Sequence, residues 1–320
     1  MVLHETENKD TPAPVILTES LCKHFGPLKA VNDLNLKVGK GELFGLIGPD
    51  GAGKTTTMRM LAGILSPSSG NAYIDGISVR KNPDQIKGHL AYMPQRFGLY
   101  QDLTVMENLN FYADLFSVPK KIRAQRIDQL FSFSRLGPFS DRLAGALSGG
   151  MKQKLGLTCA LIHSPQVLLL DEPTNGVDPV SRRDFWKILY ELLTEGITML
   201  VSTAYLDEAE RTTRTAFMRD GAIIEFGTPK DLKATVNGII LEVVPSDVRT
   251  AKAALKEQEG ILDVNVFGDS LHVRLSSESD ESYVEKILDS AGIQVKSSRR
   301  VAPSMEDVFL SVLSNRETRS

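Results

Sequence analysis

Residues 48–56 read GPDGAGKTT, with Gly48, Gly53, Lys54 and Thr55 in the spacing GxxxxGKT. Gly51, Ala52 and Gly53 let the backbone curl so that successive N–H groups face one point, and a following helix would turn its positive end to the same place. A nest of that kind takes phosphate. Lys54 would reach the terminal phosphates, and the Thr55 hydroxyl would fill one coordination site of Mg2+. Alone, a glycine turn ahead of a helix leaves a similar trace; the apolar run ELFGLIG just before it (42–48) supports the strand–loop–helix form.

Three further sets of residues carry chemistry. VLLLDEP ends an apolar run in two carboxylates, Asp171, which can hold Mg2+ through water, and Glu172, which can polarise an attacking water. Taken alone, that pair is equally a strand end with two solvated acids. Gln95 in YMPQRFGLY is by itself an ordinary loop glutamine and gains weight only in company. In LSGGMKQKLGL (147–157), Ser148 can cap a helix that begins with Gly149 and Gly150, leaving N–H groups and the positive end of the dipole for an anion; a capped helix after a loop is the plain alternative.

The elements that would position these residues are four runs that are apolar throughout: 42–48, 89–93, 167–171 and 197–203. Runs without alternation suit strands covered on both faces, as in a parallel sheet. Ligands of open α/β sheets bind beyond the carboxyl ends of the strands, so the glycine loop, Gln95, the Asp171–Glu172 pair and the segment TAYLDE are expected to converge on one crevice. The fold class is therefore α/β.

Composition limits the alternatives. The 320 residues are 42% hydrophobic and 24% charged, with a net charge of −3, enough for a real core and a poor match to a protein that neutralises phosphate backbones. No direct nucleic-acid partner is expected. Two distant cysteines, Cys22 and Cys159, suggest neither a disulfide framework nor a metal cluster, and fit a reducing compartment. The start, MVLHETENKDTPAP, reads as a solvated tail over 1–14, and no stretch nears the ~18 apolar residues of a membrane span. A cytoplasmic location is expected, with any membrane contact made through another protein.

The ordered set GPDGAGKTT, Gln95, LSGG and VLLLDE resembles the ATP-binding subunit of ABC transporters over about residues 15–236. The resemblance implies a P-loop NTPase fold with a helical subdomain over about 96–146, and ATP with Mg2+ as cofactors. It assigns Lys54, Gln95 and Glu172 to catalysis and Thr55, Gln95 and Asp171 to the metal. Gly48, Pro49, Asp50, Gly51, Ala52, Gly53, Lys54, Thr55 and Thr56 would cradle the phosphates. Phe25 in KHFG would stack on adenine, or be an ordinary half-buried aromatic. Ser148, Gly149 and Gly150 would complete the nucleotide site of a second ATPase protomer, so the resemblance implies a dimer, and Asp178 would be a further cofactor-binding residue. RFGLYQD (96–102) resembles the region on which membrane permease subunits sit. Inside the helical subdomain, TVMEN reads independently as a capping box, Thr104 with Glu107, and the stripe Leu109, Tyr112, Leu115 and Phe116 is expected to be core.

One position departs from the family pattern. VSTAYLDEAE carries Ala204 where the family has a switch histidine that contacts the γ-phosphate and the catalytic water. Loss of one preorganised donor to developing charge costs ~10²–10³ in rate. The pocket built on Lys54 is therefore expected to be impaired while Ser148 serves a more active pocket on a partner ATPase; a homodimer that tolerates Ala204 stays open.

Beyond GTPKDLKAT the pattern from residue 237 to 320 is strand, helix, hairpin around Gly268 and Asp269, helix and strand, an α+β ferredoxin-like βαββαβ unit of regulatory or dimerising character. SMEDVFLSVL adds a last helix opened by Ser304 and Asp307 and presenting Val308, Phe309 and Val312. Its P-x-M-E-D-V-F segment resembles the tail of type-2 export ATPases, including those of multidrug and antibiotic resistance. The expected function is thus an ATPase subunit that powers export, of drugs or lipophilic compounds, through a separate permease from the inner face of the cell membrane. Two other classes remain: a soluble ABC ATPase acting on ribosomes or nucleic acid, and a weakly hydrolytic regulatory ATP-binding subunit.

Overall fold

Apolar runs without alternation build the central sheet, and alternating ones build its neighbour. The computed structural model describes residues 13–96, 98–276 and 281–317, so all but the last two residues of the expected tail lie outside it. In chain order the first part holds strands β1 (Ile16–Phe25), β2 (Leu28–Val38) and β3 (Leu43–Ile47), helix α1 (Lys54–Leu61), and strands β4 (Ser69–Ile74), β5 (Ile77–Ser78) and β6 (Leu90–Met93). Helices α2 (Val105–Leu115), α3 (Lys120–Ser134) and α4 (Gly149–Ala160) come next, then β7 (Val167–Asp171), α5 (Pro179–Thr194), β8 (Thr198–Thr203), β9 (Arg214–Arg219) and β10 (Ala222–Gly227).

The six-stranded sheet has the order β10-β9-β3-β8-β7-β6, and the pairs from β9 to β6 are all parallel. Every residue of β3, β7 and β8 is buried, as runs covered on both faces require. Successive residues feed opposite cores: Leu168 and Leu170 pack with Leu109, Leu155 and Trp186, whereas Val167 and Leu169 pack with Met58, Leu34 and Ile74. Each such fully buried side chain contributes ~1.5–3 kcal/mol. The four runs read from sequence are β3, β6, β7 and β8, so the residues that follow them emerge at one edge of the sheet.

A second sheet, β2-β1-β4-β5, is antiparallel and was not among the expectations. Its signal is the period-2 pattern of NDLNLKV, in which Leu34, Leu36 and Val38 are buried and the residues between them exposed. Helix α2 corrects another expectation. Its buried face is Val105, Leu109 and Ala113, while Leu115 is 63% exposed and Phe116 37%. Leu115 is the last helical residue, and Phe116, at the C-cap, lies against His163 with ring centroids 4.0 Å apart. The capping box is formed: Thr104 Oγ1 accepts from Glu107 N at 3.1 Å and Glu107 Oε2 from Thr104 N at 2.7 Å.

The chain divides into two compact units between Phe226 and Gly227, ten residues ahead of the boundary expected from composition. The difference is α6 (Pro229–Ala234), which belongs to the second unit. That unit continues with β11 (Ile239–Pro245), α7 (Val248–Leu255), β12 (Ile261–Phe267), β13 (Ser270–Leu275), α8 (Glu281–Ser290), β14 (Val295–Val301) and α9 (Met305–Glu317). Its antiparallel order β12-β13-β11-β14 is the ferredoxin-like arrangement. Ser304 and Asp307 cap α9 reciprocally, and Asp307 also meets His272 Nδ1 at 3.0 Å.

Candidate functional site

The site begins where β3 gives way to α1. Gly51 and Gly53 hold φ of +79° and +104°, which only glycine adopts without cost. The N-cap of α1 is Gly53, and no side chain takes its first-turn N–H groups, the arrangement of an anion-receiving helix start. Lys54 is 4% exposed and curls back over its own loop. Its ammonium donates to Gly48 O at 2.7 Å and Pro49 O at 3.1 Å, and stands 3.2 Å from Glu172 Oε1. Ala52 is buried, Thr56 half-buried, and Pro49 and Asp50 are exposed on the rim.

At the end of β7 the two carboxylates have different surroundings. Asp171 Oδ1 accepts from Thr55 Oγ1 at 3.0 Å and Ser202 Oγ at 2.7 Å, and its Oδ2 accepts from Tyr92 OH at 3.2 Å. Burial, and then the charge of Asp171, push the Tyr92 phenol up to about 12, so it stays a donor. Glu172 Oε2 accepts from Gln95 Nε2 at 2.9 Å and Asn175 Nδ2 at 3.1 Å, while its backbone N–H donates to Ser202 O at 3.0 Å. Glu172 itself sits at φ +49°, a left-handed conformation that non-glycine residues adopt at a cost and that concentrates at functional sites. Lys54, Thr55, Gln95, Asp171 and Glu172 thus meet in one hydrogen-bonded group.

The donor set fits Mg2+. A threonine hydroxyl, a carboxylate oxygen and an amide carbonyl are hard oxygen ligands. Among the described residues no group of three or more His, Cys, Asp and Glu side chains could form an all-protein cage. Magnesium is commonly held by one or two carboxylates together with substrate phosphate, which matches Thr55 and Asp171 beside an anion-receiving loop.

The remaining predicted residues lie on other elements. Phe25 ends β1, 49% exposed, with the Lys23 ammonium 5.2 Å from its ring centre. Ser148 caps α4 by accepting from Met151 N at 3.4 Å; Ser148 and Gly149 are exposed, whereas Gly150 is buried where a Cβ would strike the Ser181 side chain. Asp178 is spent locally, accepting from Val180 N and Ser181 N as the N-cap of α5. Those bonds, that of the Ser181 N–H foremost, hold its carboxyl below the usual range. Ala204 is exposed just past β8. Sequence reasoning missed Tyr92, Asn175 and Ser202, which lie inside or just beyond apolar runs and carry no spacing signal of their own.

A strand, a glycine loop and a helix, beside a parallel strand ending in paired carboxylates, define a P-loop nucleotide-binding protein. Residues 31–175 match the family described as ABC transporter, and residues 227–313 that of the DrrA1-3-like ATP-binding protein C-terminal domain. The probable multidrug ABC transporter ATP-binding protein YbhF of Escherichia coli K12 is 44% identical over 93% of this chain and 52% of its own length. This chain therefore spans about half of that relative. The daunorubicin/doxorubicin resistance ATP-binding protein DrrA of Streptomyces peucetius is 33% identical over 94% of this chain and 93% of its own. Among solved structures, cbiO1 from Clostridium perfringens, part of an ABC transporter complex, covers 70% of this chain and 92% of its own length, with TM-score 0.65 and 27% identity. The chain belongs to the ATP-binding proteins of ABC transporters.

Proposed function

We propose that this chain binds and hydrolyses ATP with Mg2+ to power an ABC exporter through a separate membrane permease. The observation that carries the reading is the convergence of Lys54, Gln95 and Glu172 on one point, with Thr55 and Asp171 3.0 Å apart beside it. Bound nucleotide would draw Lys54 from Gly48 O and Pro49 O to phosphate. Glu172, then released by Lys54, polarises the attacking water, and Gln95 links that water to the metal ligands. Magnesium, held by Thr55, Gln95 and Asp171, would neutralise charge developing on the phosphates. Phe25 stacks on the base, and the N–H groups of the loop 48–56 hold the phosphates.

Ser148, Gly149 and Gly150 serve the opposing protomer, so ATP joins two ATPase subunits, and Asp178 shapes the nucleotide site as the cap of α5. The exposure of Ser148 and Gly149 at a helix start supports this, because an anion can reach them from outside the chain. The permease meets the region around 96–102, and the chain then lies on the inner face of the cell membrane. Among the described residues no helix is long and apolar enough to cross a membrane. Similarity to multidrug and daunorubicin-resistance proteins supports drugs or lipophilic compounds as cargo. The ferredoxin-like unit is a regulatory or dimerising module.

Ala204 supports a slow site. Its methyl group has no donor for the developing charge, so the pocket on Lys54 is impaired and a partner ATPase supplies the faster one. Purified protein is expected to bind ATP·Mg2+ and to hydrolyse it slowly, with Ala204→His raising kcat at least about tenfold. Glu172→Gln should bind ATP and stall. Absence of ATP binding in calorimetry would overturn the reading, and turnover near ~10 s⁻¹, typical of enzymes, unaltered by Ala204→His would remove the impaired-site part alone.

A further inference from the structure

A single carboxyl group, Glu208, joins three segments that border the site. It lies in the short helical turn Leu206–Arg211 that follows Ala204 and is wholly buried. Its Oε1 accepts from Thr174 Oγ1 at 2.7 Å and from Trp186 Nε1 at 3.1 Å. Thr174 belongs to the loop just beyond Glu172, and Trp186 to the core face of α5. Arg182, also on α5, brings its Nε to 3.8 Å from the same oxygen and lays its guanidinium over the Tyr205 ring, 4.1 Å from the centroid. Tyr205 is the neighbour of Ala204. The first turn of α5 reaches a fourth segment too, since Ser181 fills the space beside Gly150 where a Cβ would stand.

The node is incomplete. Glu208 Oε2 and Arg182 Nε are both buried and make no hydrogen bond. A buried polar atom without a partner costs free energy that a purely structural anchor would avoid, and such exceptions call for an explanation. At 3.8 Å the two side chains are within reach of an ion pair yet outside hydrogen-bonding distance. A small approach of α5 toward the turn would close the pair, giving the node a looser and a tighter arrangement.

We propose that Glu208 is a positioning residue that couples the loop after Glu172, helix α5 and the Ala204 segment. It touches no nucleotide. Through Thr174 it holds Glu172 in register for hydrolysis, and through Trp186 and Arg182 it passes the state of the site to α5. The inference rests on the ATPase reading and deepens it by naming the link between the carboxylate at Glu172 and the switch segment.

Trp186 is the only tryptophan of the chain, so its emission reports this node directly. The test uses the full chain and the variants Glu208→Gln, Thr174→Val and Thr174→Ser. Expected results are a shift of Trp186 emission when ATP·Mg2+ is added to the parent protein, and loss of that shift in Glu208→Gln and Thr174→Val. These two should also lower kcat at least about tenfold with KM and the ATP dissociation constant nearly unchanged, the pattern of an interaction that matters to the transition state and not to binding. Thr174→Ser keeps the hydroxyl and should restore both readouts. If Glu208→Gln does not fold, the Thr174 pair decides alone. Retention of the parent emission response and kcat in Thr174→Val, or equal impairment in Thr174→Ser, overturns the proposal. Failure of the parent protein to bind ATP overturns the ATPase reading itself, and with it this inference.

Discussion

Asp171 receives three hydrogen bonds from three different elements: Thr55 on α1, Tyr92 on β6 and Ser202 on β8. A buried carboxylate left with fewer partners pays its desolvation uncompensated, so these donors offset its burial and fix its direction. Ser202→Ala removes the 2.7 Å bond to Asp171, and hydrogen bonds to charged groups contribute ~1.5–3 kcal/mol; urea unfolding should record a loss in that range. Tyr92→Phe keeps the ring and should cost less. It should also flatten the alkaline limb of the stability profile. The folded phenol is raised from 10.0 to about 12, so its contribution is whole below the unfolded value and is lost as pH rises through the folded one. Equal slopes between pH 10 and 12 for the parent and Tyr92→Phe would contradict this. The carboxylates were legible in the sequence because chemistry at a strand end interrupts an apolar run. The hydroxyls that hold them were not, because Tyr92 and Ser202 sit within runs whose pattern reports only burial.

At the scale of elements, the glycines of the loop divide into two kinds that the motif does not distinguish. Gly51 has φ +79° and open space where a Cβ would stand, so its role is conformational and it leaves room for a ligand. Gly53 has φ +104°, and a Cβ there would meet Ala30 O; one on Gly48 would meet Met218 O. Those two glycines let the loop pack against β2 and β9, a requirement of the fold independent of phosphate. Gly51→Ala is therefore expected to cost only the left-handed backbone term of ~1–2 kcal/mol, whereas Gly53→Ala should cost clearly more because backbone must move. Thermal unfolding of the two variants without nucleotide checks the order, and equal shifts would refute it. The same scale explains what was read correctly and what was not. Strands β3, β6, β7 and β8 were legible as unbroken apolar runs, and α2 as a capping box. The sheet β2-β1-β4-β5 escaped because its alternation is broken by register shifts at Thr18/Leu21, Leu21/Lys23 and Lys23/His24. The exposure of Leu115 escaped because periodicity gives a face without saying where the helix itself ends, and Leu115 is its last residue.

The whole molecule holds separate hydrophobic cores, and the residues proposed for nucleotide chemistry lie in one unit. The second unit has a core of its own, in which Leu241, Val243, Leu271 and Val273 of the sheet pack with Ala251 and Leu255 of α7 and Val284 and Leu288 of α8. A unit with its own core and a complete βαββαβ topology can unfold cooperatively by itself. The residues that meet at Lys54 and Glu172 lie wholly within Met1–Phe226. A ligand that binds only the folded form stabilises what it binds, by ~2.7 kcal/mol at a hundredfold excess over Kd. Calorimetry of the full chain should accordingly resolve two transitions, with ATP·Mg2+ raising only the one assigned to the first unit. The assignment can be made with His272→Ala, which removes the 3.0 Å contact to Asp307 on α9 and should lower only the other transition. A single transition that rises as a whole with nucleotide would show instead that the ferredoxin-like unit is coupled energetically to the site, and would make it part of the machinery that senses ATP.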